Sequence, residues 1–88
     1  MIGREVIKNL KEKDDLYLFC LCRRIQNDVP LFQKKAALMV LSYRNDFDPV
    51  FLRDCFKSER DPHIHHFIAQ LIDNPEERDR IKSLVNSI

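Results

Sequence analysis

The sequence predicts an all-α fold of about six short antiparallel helices, and three observations predict it. Four prolines (Pro30, Pro49, Pro62 and Pro75) each follow an Asp or Asn directly or one residue removed. Proline loses nothing at a first helical position, and an Asp or Asn before it caps the free N–H groups. Four such pairs mark four helix starts. The apolar residues between them recur at helical spacing. No stretch alternates with period two over a useful length, so no sheet is expected.

In chain order, helix one is expected over about 2–13, with Ile2, Val6, Ile7 and Leu10 on one side. Helix two, about 15–27, carries Leu16, Leu18, Phe19, Cys20, Leu21, Cys22 and Ile25 and is broadly apolar. Asp14 and Asp15 stand at its start, where the helix dipole favours them. Helix three, about 30–44, contains Ala36-Ala37-Leu38-Met39-Val40-Leu41. That run is apolar on nearly every face, so the other helices should pack around it. Helix four, about 49–58, carries Val50, Phe51, Leu52, Cys55 and Phe56. Helix five, about 62–73, has Ile64, Phe67, Ile68, Leu71 and Ile72, the spacing of one buried stripe. Helix six, about 75–87, continues with Ile81, Leu84, Val85 and Ile88. Asn74 and Glu77 have the spacing of a capping box. Gly3 is the only glycine. The left-handed helix exits are therefore expected at Asn27, Asn45 and Asn74.

Six short helices with short turns form three antiparallel hairpins in one domain, residues 1–88. Setting Pro30 on Pro62 superposes Phe32 on Ile64, Ala36 on Ile68, Ala37 on Ala69, Met39 on Leu71 and Val40 on Ile72. This is the pattern of an internal repeat. The stretch from Arg60 through Asp61-Pro62 and Ile64 to Ala69, Leu71 and Ile72 resembles the first helix of a HEAT-type repeat. Asp28 to Leu41 is similar to a looser copy, with the family likeness clearest over residues 28–73. His65 stands where the family often has a basic residue. The resemblance implies a right-handed stack of helix pairs that binds other proteins.

Several function classes fit poorly. Fifteen basic and fourteen acidic residues leave a net charge of +1, no footprint for wrapping nucleic acid. Residues 1–24 lean basic and residues 61–88 acidic, a weak tilt. No apolar run is long enough to span a membrane, the N-terminus lacks a secretory signal, and the start at Met1 favours a whole protein. Cytoplasm is the expected compartment. Three cysteines read as buried thiols in a reducing compartment and not as a disulfide framework. Cys20 and Cys22 point about 200° apart on a helix and cannot share one metal. Nothing orients Cys55 with a histidine as a nucleophile. His63, His65 and His66 lack the further donors zinc needs; they read as surface histidines, and any role for them stays open. No metal, cofactor or catalytic constellation is expected, hence no enzyme.

Two surface features remain. Arg23 and Arg24 end helix two, Arg53, Lys57 and Arg60 lie on and just after helix four, and Arg78 and Lys82 lie on helix six. Either these are solvated and paired with Asp54, Glu76, Glu77 and Asp79, or second helices side by side make them a basic ridge. Phe47, between two aspartates, either staples the start of helix four or is an exposed anchor for a partner. The leading expectation is a small protein-binding adaptor or regulator, for example an inhibitor of a larger enzyme or complex. Its candidate contacts are Arg23, Arg24, Arg53, Lys57, Arg60 and Phe47. The alternative is a nucleic-acid backbone binder using the same basic residues. Sequence-specific DNA reading does not fit, because the helix after Pro62 has no Lys or Arg to reach bases. A homodimer joined through helix one or helix six would complete the small core.

Overall fold

A computed structural model describes residues 3–23 and 30–88. Ile2, Arg24, Ile25, Asn27 and Asp28, and the side chain of Arg23, lie outside the described residues. The chain forms α1 (Arg4–Lys11), α2 (Asp15–Arg23), α3 (Leu31–Arg44), α4 (Pro49–Ser58), α5 (Pro62–Asp73) and α6 (Pro75–Asn86). Among the described residues there is no strand.

The Asp-Pro and Asn-Pro pairs set the last three helix starts. Asp48 accepts from the Val50 N–H at 3.0 Å, Asp61 from the His63 N–H at 2.8 Å and Asn74 from the Glu76 N–H at 3.1 Å. Asp14 serves α2 in the same way, accepting from the Tyr17 N–H at 2.9 Å. Pro30 differs. It lies just outside α3, and its carbonyl accepts from Gln33 and Lys34. The capping box at Asn74 is only half made. The Asn74 N–H goes back to the Gln70 carbonyl, and the Glu77 carboxylate is held by Arg80.

Every side chain from Ala36 to Ser42 is buried. At 3.6 residues per turn, seven buried residues in succession bury the helix all round. α3 accordingly packs against α1, α2, α5 and α6, and the most extensive pairing is α2 on α3. α4 rests on α5, and α5 on α6. Of the three expected hairpins, α5–α6 is among the extensive pairings; α1–α2 and α3–α4 are not. The repeat alignment also parts company with burial at its first position: Ile64 is fully buried and Phe32 is 43% exposed.

The turn after α3 departs from the expected exits. Asn45 and Asn74 have negative φ; the left-handed residues are Asp46 (φ 52°) and Phe47 (φ 54°). The Phe47 N–H donates to the Ser42 carbonyl at 2.7 Å and the Asp46 N–H to the Tyr43 carbonyl at 3.1 Å. This is a Schellman closure of α3 without glycine. It drives the Phe47 ring into the core, where it is 8% exposed. Phe47 immediately precedes the Asp48 cap, and Leu52, at the fourth helical position, is also buried in that core. These are the positions of a hydrophobic staple.

Polar side chains tie the helices together. Lys34 in α3 meets Glu59 after α4 at 3.2 Å, with both side chains 11% exposed. The same Glu59 oxygen accepts from the Arg60 and Asp61 N–H groups at 3.1 Å each. Arg44 donates to Asp15 at 2.8 Å and to the Lys11 and Lys13 carbonyls, clamping the α1–α2 turn to the end of α3. Lys11 donates to the Val85 and Ile88 carbonyls, so α1 closes the end of α6.

Candidate functional site

The expected basic residues divide into two groups. Arg53 lines an open groove together with Arg78 and Lys82, where α4 and α6 flank the α3–α4 turn. Lys57 and Arg60 are exposed but do not line it. Asp46 and Asp79 share the groove, so its positive charge is diluted. Arg78 is committed elsewhere: it donates to the Leu71 and Ile72 carbonyls at 3.0 and 2.9 Å. A cation there offsets the negative end of the α5 dipole. Phe47 lines the floor of this groove but is a core residue, so the exposed-anchor reading gives way to the staple.

A second groove, of about 620 Å³, opens between α3, α5 and α6. Leu31 and Phe32, in the first turn of α3, are 37% and 43% exposed beside it. Met39, Phe67 and the half-buried Leu84 also line it. Its rim is charged. The Lys35 ammonium lies 5.4 Å from the centre of the Phe67 ring, a cation–π contact. Arg80 reaches Glu77 through two hydrogen bonds. The Arg80 hydrogen bond holds the Glu77 carboxyl below its ordinary range, and the same bond raises Arg80. With Glu77 paired to Arg80, Lys35 is the remaining charge on the rim among the described residues. The sequence reading missed this surface because Phe32 had been matched to a buried position, Ile64.

The three histidines sit in different surroundings. His63 and His66 are exposed; His65 stacks on Phe56 with ring centres 4.4 Å apart, and its buried Nε2 has no hydrogen-bond partner among the described residues. Among the described residues, no three His, Cys, Asp or Glu side chains converge as a metal site would need. Cys20 is exposed and Cys22 and Cys55 are half-buried, so the expectation of three buried thiols is corrected. α2 turns Cys20 away from the face that packs on α3.

The apolar stripe of α6 is largely used inside the protomer. Ile81 and Val85 are fully buried, and Leu84 and Ile88 remain half-buried. No described helix is long and apolar enough to cross a membrane. No protein-family model matches the chain, and neither the curated proteins nor the solved structures yield a match.

Proposed function

We propose that the chain is a small adaptor or regulator, not an enzyme, which docks on a larger protein in the cytoplasm through a helical-repeat surface. The observation that supports this reading is the groove between α3, α5 and α6. Leu31 and Phe32 stand partly exposed beside buried Met39 and Phe67, an apolar surface continuous with the groove and open to a partner. An amphipathic helix of a partner fits such a groove, with apolar side chains on one face. Lys35 on the rim favours acidic residues flanking that face. The HEAT-like resemblance of residues 28–73 points the same way.

The test is affinity purification of the tagged chain with nuclease treatment, with Phe32→Ser and Lys35→Glu run beside the wild type. One stoichiometric protein that survives nuclease and is lost with Phe32→Ser is expected, with weaker recovery for Lys35→Glu. Recovery that collapses with nuclease or moderate salt, and ignores both substitutions, overturns the reading. It would move attention to Arg53 and Lys82 as contacts to a phosphate backbone.

A further inference from the structure

We propose that Cys22 and Cys55 form a peroxide-responsive dithiol that closes to a disulfide between α2 and α4. The two helices meet through Phe19 and Phe51, whose rings lie edge to face with centres 6.1 Å apart. Cys22 follows Phe19 by three residues and Cys55 follows Phe51 by four, so each thiol shares its phenylalanine's helical face one turn further on. Both thiols line one cavity of about 180 Å³, together with Phe19 and Phe51. Ser58 and Glu59 line it too, so on α4 the cavity runs from the ring contact toward the C-terminal end. On α2 it likewise runs from Phe19 to Cys22. The two thiols therefore lie on the same side of the ring pair, facing one space. Both are half-buried, which leaves a small oxidant a way in, and Cys20 is exposed and does not line the cavity.

The chemistry balances with one molecule of hydrogen peroxide. One thiolate sulfur attacks a peroxide oxygen; the S–O bond forms, the O–O bond breaks and hydroxide leaves. The second thiolate attacks the sulfenic sulfur; the S–S bond forms and the oxygen departs as water. Two thiols and one peroxide give one disulfide and two waters. Closure needs the Cα atoms within roughly 4.4–6.8 Å of each other, a condition that the peptide map tests directly.

The full chain is treated with a slight excess of hydrogen peroxide, quenched, and mapped by mass spectrometry without reduction. The expected result is loss of two hydrogens and a peptide joining Cys22 to Cys55, with titratable thiols falling from three to one. Cys20→Ser should keep the link, and Cys22→Ser and Cys55→Ser should each abolish it. The wild-type map decides the matter even where a serine variant folds poorly. Sulfinic acid without a link, a link through Cys20, a link between two chains, or unchanged thiols each overturn the proposal.

Discussion

Replacing Glu59 tests the interior electrostatics of the fold directly. Its one engaged oxygen meets the Lys34 ammonium and two backbone N–H groups of the α4–α5 turn. Both side chains are 11% exposed, so water can do little to replace the partner. Glu59→Gln keeps an oxygen for the turn but leaves Lys34 as a buried cation without a counter-charge. Breaking a buried pair from one side costs about 3–5 kcal/mol. Residual exposure and the retained turn bonds reduce this to about 2 kcal/mol, still within the range of a single charged hydrogen bond. For a domain of this size that lowers Tm by roughly 10 °C. Lys34→Met removes the ammonium and keeps the apolar stem, while the carboxylate keeps its two N–H donors; the expected cost is about 1 kcal/mol. Lys34→Met with Glu59→Gln should recover most of the loss, giving a coupling energy of at least ~1 kcal/mol. Urea unfolding followed by far-UV circular dichroism measures all four proteins. A coupling near zero, or a Glu59→Gln protein as stable as the wild type, would refute the assignment of a structural ion pair.

Four further outcomes follow from single side chains. Ser42 is fully buried and its Oγ has no hydrogen-bond partner among the described residues, so Ser42→Ala should raise stability by about 1 kcal/mol in the same urea assay. Asp46→Gly relieves a left-handed φ at the position where helices most often place glycine and should add about 0.5 kcal/mol by thermal melt, whereas Phe47→Gly empties part of the core and should cost about 3 kcal/mol. Arg80→Ala should return the Glu77 carboxyl upward to its ordinary range by NMR titration. Because the folded value is depressed, the stability it contributes is present above the unfolded value and fades as pH falls through the folded one. The exposed pair is worth less than ~1 kcal/mol and less still in high salt.

The helices were legible because their starts carry chemistry that acts locally. Asp48, Asp61 and Asn74 each cap a helix opened by the following proline, and α4, α5 and α6 begin at those prolines. The apolar run of α3 announced a central helix, because six consecutive apolar residues leave no face for solvent. What failed was set by tertiary partners. Nothing near Asn74 reveals that Arg80 would draw Glu77 away from the cap. Nothing near Asn45 reveals that the chain would instead place Asp46 and Phe47 in the left-handed region, where burial of the Phe47 ring offsets the backbone cost. Lys34 and Arg44 were equally opaque, since Glu59 and Asp15 lie 25 and 29 residues away. Of the candidate contacts, Arg53 could be placed on an exposed helix face from its spacing. The groove beside Phe32 could not, because the repeat pattern assigned Phe32 to the core.

The central position of α3 also decides how the protein comes apart. Four helices drawn from both ends of the chain rest on one rod. The amides in the middle of that rod can meet solvent only when all four neighbours have let go. Hydrogen exchange at Leu38, Val40 and Leu41 should therefore run at the rate set by global unfolding, while the first turn of α4, with Val50 65% exposed, exchanges through small local openings. Disrupting α3 would leave α1 and α2 without the helix they share, while α4, α5 and α6 would keep only their packing on one another.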